Sequence, residues 1–422
     1  MLSLTASENF ISFLVRVAPA LNAGSFYFFL PPYLTEKGEW YFPTSGVMEE
    51  FVRLLSKSAH SLFGIELLDW RPNGGSTAEN AVMLGVCRKG DAFIHFSHSD
   101  GGHFALEPMA RETGREFFHL PVNQRTLLID VPRLGTILKE NPQIKLVLLD
   151  QSFKLREQPL REIKAILPEN VILCYDASHD GGLIAGGIIS QPLSNGADII
   201  IFNTHKTIPG PQKAVIGYKD KDNMFVKPIS QTVVDKLQSN CHAECILPML
   251  ICFKELEFFA SSYADQILRN AKAFAKALKY EGFNVSGESF GFTETHQVHV
   301  IIGDTDKALY TVENKLHPAG IRTNNIEIPG SNGAYGLRLG VQAMTRCGMK
   351  EYDFEEVARL MKKLLLENHE TVKIRHEVDT LNSCFPRNPL GYGFDQFMVK
   401  KPSHDSSDVD KAINGFLTEV LR

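Results

Sequence analysis

The sequence predicts an α/β fold, with a mostly parallel central sheet and a smaller C-terminal α/β domain. Three observations lead to this prediction. Short apolar runs alternate with helical patterns over much of the chain, polar clusters follow several of these runs, and the 422 residues suit one large domain beside a smaller one. Because parallel strands need crossover connections, the alternation favours a sheet with helices on both faces.

The large domain is predicted to contain five buried strands, each a short apolar run, at 92–96, 145–149, 171–175, 199–202 and 214–218. A further strand edge is expected at the start of the segment 128–140, whose remainder is helical. Helical periodicity predicts the other elements of this half, at 10–21, 47–64, 80–86 and 161–167.

The C-terminal part is also predicted to contain both helices and strands, in a smaller domain. Long helices are predicted over 246–282, followed by a strand at 298–302, a helix at 306–316, a strand at 336–340 and an amphipathic helix at 354–366. We therefore divide the chain into an N-terminal arm, a large domain and a small domain with a polar C-terminal extension from 369, with bounds at 1–25, 26–245 and 246–422.

Composition narrows the class of protein. Hydrophobic content is 44%, charged content 22% and net charge −5, without a basic stripe, which argues against a nucleic-acid partner. The seven cysteines are scattered and odd in number, so reduced thiols and a cytoplasmic location are expected. Cys241 and Cys245 have helical spacing but lack further ligands nearby, so no metal site is predicted. Neither a leader pattern nor a membrane-length apolar run is present.

The most informative stretch is 203–211, Asn-Thr-His-Lys-Thr-Ile-Pro-Gly-Pro, which follows a predicted buried strand and ends in a turn. It places Lys206 on a loop at the carboxyl end of that strand. Such a lysine is either a solvated loop residue or a nucleophile that forms an imine. Polar clusters after the neighbouring strands, at 97–103, 150–152 and 176–179, converge on the same edge of the sheet, where ligands bind. We therefore interpret Lys206 as the lysine that carries pyridoxal 5′-phosphate (PLP).

The chain supplies the other groups that PLP needs. Asp176 follows a strand and suits the protonated pyridine nitrogen, and His103 is a candidate to stack on the ring. Gly75, Ser76 and Thr77 precede a helix, where free N–H groups and hydroxyls bind phosphate. Arg338 is the candidate for a bidentate pair with the substrate carboxylate. Plainer alternatives remain for each: a helix cap for Asp176, a loop histidine for His103 and a surface ion pair for Arg338.

Five motifs make the sequence similar to the serine hydroxymethyltransferases, over about residues 3–365. They are Leu-Thr-Ala-Ser-Glu-Asn at 4–9, Gly-Gly-His at 101–103, Asp-Ala-Ser-His at 176–179, Thr-His-Lys-Thr at 204–207 and Gly-Leu-Arg-Leu-Gly at 336–340 followed by Thr345-Arg346. The resemblance implies a fold-type I PLP-dependent transferase of the aspartate aminotransferase kind.

That resemblance also assigns roles to residues of this chain. It implies that PLP is covalent on Lys206, that Ser152 and His179 lie near the phenolic oxygen of the ring, and that the active sites form at the interface of a homodimer or a dimer of dimers. Tyr27 enters the site from the neighbouring subunit, close to the substrate. The remaining implied cofactor or substrate contacts are Ser7, Phe29, Ser76, Thr204, His205, Ser239 and Asn240.

Several positions depart from the hydroxymethyltransferase pattern. The glutamate that serves folate chemistry is replaced by Phe29, and the folate-contacting asparagine by Ile326. An arginine becomes Gln212, and a Gly-Gly pair that reaches the partner's phosphate becomes Ser239-Asn240. Because a phenylalanine neither protonates nor hydrogen-bonds a pterin, we do not expect folate to be the acceptor.

The sequence is more similar to the L-threonine transaldolases, which are hydroxymethyltransferase-like enzymes of natural-product pathways such as antibiotic assembly. The matching segments are 70–79, 150–156, 203–213 and 237–244. The implied reaction cleaves L-threonine to acetaldehyde and a glycyl quinonoid, which adds to a second, aryl or apolar, aldehyde and gives a β-hydroxy-α-amino acid. The aromatic loop of Phe26, Phe28, Phe29 and Trp40 is expected either to seat that aldehyde or to pack as core. Three alternatives stay open: a true serine hydroxymethyltransferase, a threonine aldolase and a non-catalytic scaffold.

Overall fold

The computed structural model describes residues 1–21, 27–28, 46–220, 222 and 224–385. Phe26, Phe29 and Trp40 of the predicted aromatic loop lie outside the described residues, as does the part of the C-terminal extension that follows residue 385.

A seven-stranded sheet forms the centre of the large domain. Its strands are β2 (Leu67–Asp69), β3 (Ala92–His95), β4 (Glu116–His119), β7 (Ile144–Leu149), β8 (Ile172–Asp176), β9 (Ile199–Asn203) and β10 (Ala214–Tyr218). They lie in the order β2-β10-β9-β8-β7-β3-β4. The five strands from β9 to β4 are parallel, whereas β10 is antiparallel to both of its neighbours. The predicted mostly parallel sheet is confirmed.

A second, antiparallel sheet follows in the C-terminal half. It contains β11 (Asn284–Val285), β12 (Gln297–Gly303), β14 (Asn324–Glu327) and β15 (Tyr335–Gly340), in the order β11-β12-β15-β14. The N-terminal arm reaches this region, because β1 (Leu2–Ser3) pairs in parallel with β13 (Ile321–Arg322). A short hairpin of β5 (Val122–Asn123) and β6 (Leu128–Ile129) lies apart from both sheets.

Thirteen α-helices occur in the described part of the chain. Those of the first half are α1 (Phe13–Val17), α2 (Gly46–Phe63), α3 (Gly75–Val86), α4 (Leu106–Glu112), α5 (Val131–Glu140), α6 (Leu160–Ile166), α7 (Gly181–Ala185) and α8 (Val226–Thr232). The later ones are α9 (Ile246–Tyr280), α10 (Thr305–Tyr310), α11 (Gln342–Arg346), α12 (Glu351–Leu365) and α13 (Thr371–Ser383). None of the helices that the structure describes is long and apolar enough to cross a membrane.

The core covers both faces of the large sheet, which explains the apolar runs in its central strands. Along β9, Ile200 and Phe202 point into a cluster with α2 and α9, whereas Ile199 and Ile201 point into a cluster with α3 and α8. Successive strand residues face opposite sides, so a strand covered on both sides needs a continuous apolar run. This packing holds the carboxyl ends of the parallel strands at one edge.

Several predicted bounds change. The helix predicted at 10–21 is the short helix α1 followed by one 3₁₀ turn, Ala18–Leu21. The helix predicted at 80–86 begins at Gly75, so the Gly-Ser-Thr run forms its first turn instead of a preceding loop. The long helices predicted over 246–282 are one helix, α9, of 35 residues. The division into an arm, a large and a small domain stays a prediction.

Candidate active site

Four of the predicted site segments meet at the carboxyl edge of the large sheet. Asp176 ends β8 and Asn203 ends β9, while Asp150 follows β7 and the segment 96–103 follows β3. Because these strands are parallel and adjacent, their ends lie side by side. The site is therefore built from loops that a rigid sheet holds in place.

Lys206 lies on the loop between β9 and β10, with its Nζ 3.2 Å from Nε2 of His179. Burial lowers the pKa of the Lys206 amine, and nearby Arg338 acts in the same direction, while Asp176 and Glu79 oppose the shift. A lower pKa raises the fraction of neutral amine, which is the form that attacks a carbonyl carbon.

Hydrogen bonds fix the loop that carries this lysine. The Asn9 side chain donates to the backbone carbonyl of Lys206 at 2.6 Å and lies 2.9 Å from the hydroxyl of Tyr263. Thr204 Oγ1 donates to the carbonyl of Pro211 at 2.5 Å, and the N–H of Gly210 donates to the carbonyl of Thr204 at 2.7 Å. The Ser-Glu-Asn motif near the N-terminus thus holds the lysine loop, and the Thr204 hydroxyl closes that loop on itself.

A buried carboxyl that the sequence analysis missed lies beside Asp176 and His103. Glu79, on α3, is 1% exposed, and its Oε2 lies 2.7 Å from Nδ1 of His103. It also shares a hydrogen bond with the side chain of Asp176, and burial, followed by the charge of Asp176, raises its pKa well above the usual range. Two carboxyls in contact hold one proton between them. The raised pKa favours the protonated form of Glu79.

The first turn of α3 forms a cradle with the end of β9. Gly74 caps this helix without a side-chain hydrogen bond, so N–H groups of the first turn remain for an anion. The N–H of Gly75 donates to Oδ1 of Asn203 at 2.8 Å, and a Cβ at Gly75 would lie 2.6 Å from Nδ2 of Asn203. Nδ1 of His205 is buried without a hydrogen-bond partner in the described structure. Ser76 and Thr77 lie in the same turn, which suits a phosphate group.

Arg338, on β15, presents a buried guanidinium from the second sheet. Its Nε donates to Oδ1 of Asn324 at 3.3 Å, its Nη1 donates to the carbonyl of Ser152 at 3.4 Å, and its Cζ lies 5.1 Å from the ring centre of Phe153. No carboxylate of the described residues pairs with it within 4.0 Å. Burial lowers the pKa of Arg338 to about 10, so the folded protein stabilises this charge poorly. An incoming carboxylate would supply the missing partner.

Comparison with known proteins identifies the family. The profile of the family described as serine hydroxymethyltransferase matches residues 1–361. The serine hydroxymethyltransferase of Pyrococcus abyssi is 36% identical over 327 residues, or 75% of this chain and 76% of the relative. That of Archaeoglobus fulgidus is 31% identical over 404 residues, or 93% and 89%. The chain belongs to the serine hydroxymethyltransferase family.

A solved structure adds a more specific likeness. The crystal structure of an L-threonine transaldolase from Pseudomonas fluorescens, in its internal aldimine state, is 51% identical, with a TM-score of 0.94. The alignment covers 98% of this chain and 93% of that one. The predicted resemblance to both groups and the fold-type I architecture are confirmed.

As a member of the serine hydroxymethyltransferase family, the chain is a PLP-dependent enzyme with the cofactor covalent on Lys206. The donors present fit that group, because an amine of lowered pKa, a carboxylate and an anion cradle lie at one sheet edge. Asn9, Glu79 and Asn203 lie within the predicted motifs, but the sequence assigns them no role because their contacts are with distant segments.

A second buried imidazole, that of His296, packs against His179 in this enzyme of the serine hydroxymethyltransferase family. His179 and His296 stack with ring centres 5.7 Å apart. The Gln297 side chain donates to the carbonyl of Ser152 at 3.0 Å and lies 3.4 Å from Nδ1 of His179. Burial lowers the pKa of His179 well below the usual range, and that of His296 to about 4. These rings stay neutral, so His179 faces Lys206 as a hydrogen-bond partner and not as a second cation.

For the remaining predicted site residues, the structure shows no contact with Lys206 or Asp176 among those described above. Ser7 is half-buried in the arm and Tyr27 is 52% exposed on this single chain. Ser239 is exposed, and Oδ1 of Asn240 accepts from the N–H of His242 at 3.1 Å. These positions suit contacts across a subunit interface, and their cofactor and substrate roles stay predictions.

Proposed function

We propose that the enzyme is an L-threonine transaldolase. It would cleave L-threonine to acetaldehyde and join the remaining glycine unit to a second aldehyde, giving a β-hydroxy-α-amino acid. The observation that carries the proposal is the 51% identity, over 98% of the chain, to the L-threonine transaldolase of Pseudomonas fluorescens. Identity to the hydroxymethyltransferase relatives is lower, at 36% and 31%.

Substrate binding depends on Arg338 in this proposal. Its guanidinium is held by Asn324, Ser152 and the face of Phe153 and has no carboxylate of its own in the described structure. It binds the carboxylate of L-threonine through two parallel hydrogen bonds. This contact fixes the amino acid relative to Lys206 and orients the bond that breaks.

Cleavage needs an electron acceptor and a base. PLP, when bound, serves as the acceptor for the electrons of the broken Cα–Cβ bond. Asp176 holds a proton on the pyridine nitrogen, and Glu79 keeps that carboxylate in place. A base removes the proton of the β-hydroxyl group, and the candidates are His103, Tyr27 and a water molecule. Nδ1 of His103 faces Glu79 at 2.7 Å, which leaves Nε2 as its free basic atom.

The acceptor is proposed to be an apolar or aryl aldehyde and not a folate. Ile326 lies buried in β14, where an aliphatic side chain offers a pterin no hydrogen bond, and Gln212 is exposed. Synthesis of a natural product with antibiotic activity is the expected setting. We further propose a homodimer, since the exposed Tyr27 would then enter the partner's site.

The test compares two reactions of the purified holoenzyme. L-Threonine with benzaldehyde should yield phenylserine and acetaldehyde, the latter measured through NADH oxidation by alcohol dehydrogenase. L-Serine with tetrahydrofolate should yield little glycine. Lys206→Ala should abolish both the reaction and the visible absorbance of the bound cofactor.

Each alternative function has its own signature in these assays. Fast folate-dependent glycine formation from serine would establish a hydroxymethyltransferase instead. Glycine as the only amino-acid product of threonine and benzaldehyde would establish a threonine aldolase. A purified chain that holds no PLP would support the scaffold.

A further inference from the structure

We propose that His95, Glu107 and His119 form a binding site for a divalent transition-metal ion of the zinc class. His95 and His119 are the last residues of β3 and β4, the two outermost strands at one side of the large sheet, whereas Lys206 follows β9. The ligand atoms of the three residues all lie within 4.8 Å of one another. Two imidazoles and one carboxylate are a donor set that binds zinc in proteins.

The fold brings these residues together through strand register. β3 and β4 pair in parallel, with His95 directly opposite His119, and α4 places Glu107 above the pair. Nε2 of His119 lies 3.1 Å from Oε1 of Glu107, and Nε2 of His95 lies 3.9 Å from the same oxygen. Ligands bound tetrahedrally at 2.0–2.1 Å lie about 3.4 Å apart, so the metal needs only small side-chain movements.

His95 supplies an independent indication that a ligand belongs here. The residue is 1% exposed, and its Nε2 is buried without a hydrogen-bond partner among the residues described. A buried polar atom with no partner destabilises the folded chain. A metal ion between Nε2 of His95 and Oε1 of Glu107 would satisfy it.

The second nitrogen of His95 has the partner that a metal-bound imidazole requires. Its Nδ1 lies 3.1 Å from Oδ2 of Asp150, a carboxylate that is 1% exposed. Such a carboxylate fixes the tautomer in which Nδ1 carries the proton and Nε2 presents its lone pair outward. Asp150 therefore prepares His95 as a ligand.

The charges around the cluster leave the ligand atoms available. Arg111 pairs with Oε2 of Glu107 at 2.7 Å, while Oε1 remains directed at the two imidazoles. The side chain of His119 is 46% exposed, so the site opens to solvent and a water molecule can complete the coordination. The proposed site therefore has three protein ligands and one coordination position open to water.

Asp150 also connects this cluster to the active site. Its Oδ2 accepts from the N–H of His103 at 2.9 Å, and its Oδ1 from the N–H of Phe96 at 3.0 Å. A metal ion on His95 would hold Asp150, and with it the backbone of His103. Zinc would therefore reinforce the outer strands of the sheet and the segment that carries His103.

The experiment measures zinc directly on the full-length holoenzyme, with any affinity tag removed. After equilibrium dialysis against micromolar Zn²⁺, the metal is quantified by mass spectrometry in the wild type, His119→Ala and Glu107→Gln. His369→Ala is the control, because His369 is also 46% exposed and lies 3.3 Å from Glu367, but belongs to no group of three possible metal ligands among the described residues. The wild type and the control should each bind about one zinc per chain, and the two cluster variants at least about tenfold more weakly.

Two results would overturn the proposal. One is a wild type that takes up no zinc under these conditions. The other is equal zinc content in the wild type and His119→Ala, which would assign the metal to thiols or to the cofactor. A thermal-unfolding series adds a readout independent of stoichiometry, because zinc should raise the Tm of the wild type and of the control but not that of His119→Ala.

Discussion

Replacing Arg338 by methionine should lower activity strongly without lowering stability. The guanidinium is buried and has no carboxylate partner among the described residues, and burial lowers its pKa to about 10. The difference from the ordinary value of 12.5, at about 1.4 kcal/mol per pKa unit, means that burying the charge costs on the order of 3 kcal/mol. Methionine removes that cost and fills much of the same volume.

The loss of activity follows from the same geometry. Each hydrogen bond to a charged group contributes about 1.5–3 kcal/mol, so loss of a bidentate pair costs about 3–6 kcal/mol. At about 1.4 kcal/mol for each factor of ten, kcat/KM for L-threonine should fall by about 10²–10⁴. Acetaldehyde release measures kcat/KM, and thermal unfolding measures Tm.

A matched arginine provides the control for this variant. Arg156 also lies over a phenylalanine ring, with its Cζ 4.9 Å from the ring centre of Phe290, but it pairs with Glu294. Arg156→Met should keep kcat/KM within about threefold, as expected for a residue outside the site. A normal kcat/KM in Arg338→Met, or a collapse of its Tm, would refute the assignment of Arg338 as an unpaired carboxylate receptor.

Three further predictions concern neighbouring groups. Burial lowers the pKa of His296 to about 4 and of His299 to about 3, so below pH 6.5 the unfolded chain binds protons that the native chain does not. The free energy of unfolding should therefore fall on acidification, by about 2 kcal/mol per histidine at pH 5. Urea unfolding at several pH values measures this, and His299→Asn should lose less stability between pH 7 and pH 5 than the wild type. Asn9→Ala should lower kcat about tenfold and stability by about 1–3 kcal/mol, because it releases the lysine loop from Tyr263; unchanged kinetics and unfolding would contradict this. Glu79→Gln should keep most activity, because the raised pKa of Glu79 favours its protonated form, which a glutamine resembles. Glu79→Ala should lose at least about tenfold, and equal losses in both variants would contradict this account.

The sequence predicts the sheet of the large domain well, for a physical reason. Strands buried on both faces must be apolar throughout, and the runs at 145–149 and 199–202 have no other plausible structure than a buried strand or a short buried helix. The edge strand β4, Glu-Phe-Phe-His, was missed because its exposed ends interrupt that pattern. The antiparallel direction of β10 was also beyond prediction, since local residues do not encode direction.

The sequence predicted those site residues for which the chemistry of the cofactor or substrate requires one residue type. Lys206, Asp176 and Arg338 follow from the chemistry of PLP and from their places at strand ends. The role of Glu79 was not predicted, because a carboxylate in the first half of a helix is usually explained by its favourable interaction with the helix dipole. Only the fold places it against His103 and Asp176.

The proposed metal cluster shows the same limit more clearly. His95, Glu107 and His119 are each separated by about a dozen residues, a spacing without the regularity of known zinc motifs. Their meeting depends on the parallel register of β3 with β4 and on the angle of α4. Such contacts arise from tertiary packing and leave no periodic signal in the sequence.

The proposed reaction transfers the glycine unit of L-threonine to another aldehyde. Uniformly ¹³C-labelled L-threonine, incubated with unlabelled benzaldehyde and the holoenzyme, tests this most directly by mass spectrometry. The transaldolase predicts phenylserine with two labelled carbons, in step with acetaldehyde that carries the other two. Labelled glycine and acetaldehyde, with no labelled phenylserine, would contradict it.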